Sequence, residues 1–195
     1  MTAQYSEMQL DALRELANIG SGTAATALSQ MVGRPIDLSV PTVLALPLAD
    51  AVDAAGDPEQ EVWCVVLPIF GDLDAIVLMI FTPGDAAGIC ALLGVELDSE
   101  FGPSALGEVG NILGSSYVGA LGQMTGLHLE PRPPEVTADM LGAIVATVLA
   151  STAHSTEVAF LLDSDLVIEG EACSFQFMLV PSRDGVTELL GRLGL

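Results

Sequence analysis

A chain of 195 residues, 51% of them hydrophobic, is long enough to bury a sizeable core in one domain. Its 26 acidic residues against five basic ones give a formal charge of −21, a surface that repels nucleic acid and anionic lipid and argues against both as partners. All five basic residues are arginines, and the absence of lysine excludes a Walker A phosphate loop and Schiff-base chemistry, which both need that amine.

The N-terminus "MTAQYSEMQL" lacks the basic start and apolar block of a signal peptide, so a cytoplasmic protein is expected. The periodicity then predicts a long helix over about residues 7–32, with Leu10, Leu13, Leu16, Ala17, Leu28 and Met31 on one side. A strand follows in "IDLSVPTVLAL", its proline suiting an edge or a strand end. "AGDPEQ", residues 55–60, reads as a surface loop. Two apolar runs, "EVWCVVLPIF" and "DAIVLMIF", read as strands paired through the turn "GDL", and a short helix follows Pro83.

From about Asp98 the pattern starts again. A second long helix is predicted over about 102–125, then the strand "LHLEPRPPEV". "ADMLGAIVATVLAST" predicts a helix for this half. Its apolar part, Met140 to Ala150, is shorter than the roughly 20 residues that span a bilayer, so it reads as buried. "EVAFLLDSDLVI" and "ACSFQFMLV" pair through "EGE", and a short helix follows Pro181. The expected fold is α+β: an antiparallel β-sheet covered by helices, with an internal pseudo-two-fold repeat and two long equivalent helices. The expected organisation is a single domain over 1–195, built from tandem halves of about 1–97 and 98–195. Cys64, Cys90 and Cys173 are too scattered for a metal site with His128 or His154, and read as reduced core thiols; the histidines read as ordinary surface residues.

The repeat is explicit in the letters. "DALRELANIGSGTAATALSQMVG" and "SALGEVGNILGSSYVGALGQMTG" align without gaps at an offset of 93 residues. Asp11 falls on Ser104, Glu15 on Glu108, Asn18 on Asn111, Gly33 on Gly126 and, beyond the helices, Pro41 on Pro134. On a helix, Asp11, Glu15, Asn18 and Gly22 share a narrow sector pointing away from Leu13 and Leu16, and Ser104, Glu108, Asn111 and Ser115 repeat it.

One glutamate and one asparagine on an exposed helix usually serve solubility. Asparagine is a poor helix former, however, and packing does not call for it on an outer face, so its recurrence beside glutamate in both halves points to function. A carboxamide offers a donor and an acceptor: it orients a water and cannot deprotonate one. That suits phosphoryl transfer, whose loose transition state needs positioning more than base strength. With so few cations in the chain, the metal and the neutralising cation belong to a partner, and the glutamate can pair with that partner's cation. The small residues flanking each asparagine would let the helix approach the partner closely.

The signature Asp/Ser-x3-Glu-x2-Asn-x22-Pro, present twice, resembles that of the CheC, CheX and FliY family of chemotaxis phosphatases, as do "IFGD" and "ADMLGAI". Two signatures in a chain with no room for a flagellar-switch domain resemble the two-site CheC type. The resemblance implies hydrolysis of the aspartyl phosphate of the response regulator CheY. Asn18 and Asn111 would each align the attacking water, and Glu15 and Glu108 would each pair with the regulator's lysine. Asp11 and Ser104 take a supporting polar role, and Pro41 and Pro134 shape the strand after each helix. No cofactor is expected in this chain; Mg2+ is expected in the partner regulator. The deamidase CheD is implied as a second partner. The alternatives are a non-catalytic adaptor that binds CheD or a regulator, and a structural piece of a flagellar switch.

Overall fold

A computed structural model describes residues 7–39, 42–151, 158–168, 171–182 and 185–192. The first elements are α1 (Glu7–Val32), β1 (Asp37–Leu38), β2 (Thr42–Pro47), α2 (Leu48–Ala55), β3 (Glu61–Gly71), β4 (Ala75–Phe81) and α3 (Pro83–Leu92). The same order recurs as α4 (Gly102–Thr125), β5 (Leu129–Pro131), β6 (Glu135–Met140), α5 (Leu141–Ser151), β7 (Val158–Ile168), β8 (Glu171–Pro181) and α6 (Gly185–Arg192). The strands form one eight-stranded sheet, and every pairing in it is antiparallel.

The order β1-β7-β8-β4-β3-β5 exchanges strands between the two runs of elements. β1 and β2 lie along β7, while β5 and β6 lie along β3, so each early strand completes the other run's long hairpin. The two hairpins meet where β4 pairs with β8, Leu78 opposite Met178. That central place explains why "AIVLMIF" is apolar without a break: a strand covered on both faces has no polar side. Its side chains alternate between two cores. Val77, Met79 and Phe81 join the one that holds α1 and α4, and Leu78 and Ile80 join the one that holds α2 and α5.

Several elements differ from their sequence expectation. The first half carries a helix after its early strands just as the second does: α2, eight residues long, buries Ala51 and Ala55. The strand "LHLEPRPPEV" divides at its prolines into β5 and β6. β6 continues to Met140, because Ala138, Asp139 and Met140 pair with Trp63, Val62 and Glu61, and α5 therefore begins only at Leu141. Nor is α5 buried all round. Leu141, Ile144, Val145 and Val148 face the sheet while Ala146, Thr147 and Ala150 face solvent. Among the described residues, no helix is long and apolar enough to cross a membrane. Cys64 and Cys90 are buried thiols, Cys173 is half-buried, and His128 is exposed; His154 lies outside the described residues.

Burial pushes the Cys64 thiol up from about 9.0 to about 12, against a smaller lowering from its hydrogen bond to the Met79 backbone. A thiol that ionises more readily in the unfolded chain lends stability that is complete below pH 9 and drains away as pH rises towards 12. Urea midpoints measured from pH 8 to 11 should therefore fall more steeply for the parent than for Cys64→Ala. Equal slopes would show that the thiol is not shielded.

Candidate active site

α1 and α4 pack against each other on one face of the sheet, and each turns its polar stripe away from the contact. On α1, Leu13, Leu16, Ala17, Ser21, Ala24 and Leu28 are buried, whereas Asp11, Glu15, Asn18 and Gly22 are exposed. On α4, Leu106, Val109, Leu113 and Tyr117 are buried, Ser104 and Glu108 are exposed, and Asn111 and Ser115 are half-buried. This is the outcome of a 3.6-residue repeat with one apolar sector.

Tyr117 clasps the two helices together. A Cβ on Gly20 would lie 2.6 Å from Tyr117 Cδ1, so only glycine admits that ring against α1. The Tyr117 ring packs on Phe177, centroids 4.7 Å apart, and its hydroxyl sits 2.8 Å from Ser21 Oγ. Ser21 Oγ donates to the Ala17 carbonyl at 2.8 Å, which leaves the phenol as donor in the pair. Burial pushes the Tyr117 phenol up, against a smaller lowering from the Ser21 and Ser164 hydroxyls. The clasp lies two residues past Asn18 and six past Asn111, on the faces of the helices turned away from both polar stripes.

The small residues beside the asparagines divide between two roles. Gly110 and Gly114 face inward: a Cβ on Gly110 would lie 2.7 Å from the Val65 side chain, and one on Gly114 would run into Leu67. They let α4 lie close to the sheet, which corrects the expectation that they serve a partner. Gly22 and Gly119 do open outward, with nothing within 4 Å of a Cβ at either position.

The two sites share a scheme but not every side chain. Glu108, Asn111 and Ser115 line an open groove whose far wall is Pro131, Arg132 and Pro134, so the structure does bring Pro134 beside Asn111. Pro41, its counterpart, lies outside the described residues. Ser104 stands exposed in the first turn of α4, whereas Asp11 is engaged by the Arg14 guanidinium one turn on. Arg132, which the sequence reading did not single out, holds its guanidinium carbon 5.3 Å above the exposed Phe70 ring. The offset of 93 places Ser39 at its counterpart, and the Ser39 hydroxyl is occupied in accepting the Asp165 amide at 2.8 Å. The second site therefore has a cation on its rim where the first has a hydroxyl bound to the sheet.

Among the described residues, no hydrogen bond or ion pair occupies the side chains of Glu15, Asn18, Glu108 or Asn111. No group of three or more His, Cys, Asp or Glu side chains among those residues is placed to hold a metal ion. Such a surface offers, twice, a free carboxylate and one turn later a free amide. The pair can accept a cation and hold a water.

The model of the CheC-like family matches residues 8–44 and 101–137, each segment containing one Glu–Asn stripe and its proline. The CheY-P phosphatase CheC of Bacillus subtilis is 35% identical over 96% of this chain and 95% of its own. The chain belongs to the CheC-like family. A second Bacillus subtilis relative of this CheC-like chain, the flagellar motor switch phosphatase FliY, is 31% identical over 104 residues, 53% of this chain and 26% of that protein. The crystal structure of Thermotoga maritima FliY shares the fold, with a TM-score of 0.76 at 22% identity over 98% of both chains.

Proposed function

We propose that this CheC-like chain hydrolyses the aspartyl phosphate of a CheY-like response regulator, at two equivalent sites that each position a water with an asparagine. The observation that carries the reading is the pair of outward-facing amides, Asn18 and Asn111, each one turn after an outward-facing glutamate. The activity for which its Bacillus subtilis relative is named, that of a CheY-P phosphatase, supports the choice of substrate.

The regulator brings the acyl phosphate, the Mg2+ that neutralises it and a lysine. This chain brings alignment. As α1 or α4 is laid over the regulator's active site, Glu15 or Glu108 accepts the lysine's N–H groups and sets the register. The carboxamide of Asn18 or Asn111 then accepts one hydrogen bond from a water and holds its lone pair towards phosphorus, opposite the departing aspartate. A loose transition state asks for no strong base, so an amide suffices, and fixing the water converts a chance encounter into an oriented one. A regulator-directed phosphatase works in the cytoplasm. The family resemblance adds CheD as a proposed second partner. The adaptor alternative has less behind it, since both amides stand free where an adaptor would not need them.

The test is phosphate release from a purified phosphorylated cognate regulator, with and without this protein. Shortened phosphate lifetime is the expected result. Complex formation with an unchanged lifetime would establish the adaptor instead.

A further inference from the structure

Met8 and Phe101 are the two most exposed large apolar side chains among the described residues, at 70% and 63%. They stand 93 residues apart, the same spacing that brings the two Glu–Asn stripes into register, and they open the two segments matched to the family. Each heads its own stripe. Asp11, Glu15 and Asn18 follow Met8 by three, seven and ten residues, and Ser104, Glu108 and Asn111 follow Phe101 by the same steps. Those steps keep a helical face. Phe101 shares that phase although it precedes α4, for its φ and ψ are −95° and −14° and its carbonyl accepts the Ala105 amide at 2.9 Å.

Single exposed apolar residues are ordinary on protein surfaces. Exposure at one register position in both halves is not. Duplication preserves matching core positions because packing demands it, and among the described residues these two stay outside the buried core. Methionine and phenylalanine differ in shape and share size, apolarity and exposure. Ile19, beside Asn18, adds a further exposed apolar group to the first ridge.

We propose that Met8 and Phe101 are apolar anchors through which each ridge grips the phosphorylated regulator at a surface flanking its acyl phosphate. The proposal rests on the phosphatase reading of the same ridges. Ten helical residues span about 15 Å, so anchor and amide fit together within one ordinary interface of about 800 Å² per partner. An apolar anchor also supplies attraction that a chain of charge −21 cannot obtain from its net field when it meets another acidic protein.

The experiment isolates one site at a time in the full chain. In an Asn18→Ala background only the second site works. There Phe101→Ala should raise KM for the phosphorylated regulator about tenfold while leaving kcat and the unfolding midpoint unchanged, and Phe101→Leu should restore most of the loss. Met8→Ala should do nothing in that background and should raise KM in an Asn111→Ala background. Unchanged KM in both backgrounds, or a loss confined to kcat, would overturn the anchors. Failure of the phosphatase reading looks different: Asn18→Ala with Asn111→Ala would then match the parent. If no hydrolysis is seen at all, Kd for the regulator loaded with beryllofluoride decides, and an unchanged Kd in Met8→Ala with Phe101→Ala overturns the proposal.

Discussion

Asn18→Ala combined with Asn111→Ala should lower the accelerated rate of regulator dephosphorylation about a hundredfold or more, while either single variant keeps the share of the remaining site. The magnitude follows from what is removed. An alanine methyl offers no hydrogen bond to a water, and Glu15 and Glu108 are engaged by the regulator's lysine in the proposed complex, so the nucleophile reverts to unaligned solvent. The fold should not suffer. Asn18 is exposed and Asn111 half-buried, and alanine is the better helix former by about 0.5 kcal/mol at each position. The double variant should therefore unfold at the same or a slightly higher urea concentration. Activity equal to the parent's in the double variant would remove the amides from the mechanism.

Tyr117→Ala should do the reverse. The ring is 2% exposed, fills the notch left by Gly20 and packs tilted on Phe177, and its hydroxyl holds Ser21. Truncating a buried aromatic costs about 3–5 kcal/mol, a large part of a domain's total stability. Tyr117→Phe should cost only about 1 kcal/mol, because Ser21 keeps its bond to the Ala17 carbonyl. Urea unfolding measures both. Below its lowered midpoint, Tyr117→Ala should still dephosphorylate the regulator, since the amides are on the opposite sides of the helices. Scaffold and site would then be separated by experiment: one variant loses stability and keeps activity, the other loses activity and keeps stability. A Tyr117→Ala protein as stable as the parent would show that the clasp does not hold the ridges.

The long helices and long strands were legible because each carries many periods of one pattern. α1 and α4 show an apolar sector over six turns or more, and β4 shows the unbroken apolar run of a strand covered on both faces. α2 was not legible from periodicity: eight residues starting directly after Pro47 give only about two turns, although the four alanines of "LADAVDAA" favour a helix. The start of α5 was misplaced because Ala138 to Met140 are claimed by pairing to β3, a contact across more than 70 residues of chain that leaves no local mark. The exchange of early strands between the hairpins is hidden for the same reason.

At the site, repetition made Glu15, Asn18, Glu108 and Asn111 visible, since the same exposed residues at the same spacing are hard to explain by packing. Gly110 and Gly114 were misread because a glycine looks the same whether it faces a sheet or a partner. Arg132 was hidden because its value lies in standing over Phe70 of β3 from the link between β5 and β6, and Met8 and Phe101 because exposure cannot be read from an apolar letter. The repeat did hold that last signal, in the unremarked alignment of position 8 with position 101.

The measurement that bears most directly on the two-ridge mechanism is a structure of this chain bound to its cognate regulator loaded with beryllofluoride and Mg2+. α1 or α4 should lie across the regulator's active site, with the carboxamide of Asn18 or Asn111 about 3 Å from a water in line with the beryllium. A complex in which the regulator docks elsewhere and leaves both carboxamides facing bulk solvent would contradict it.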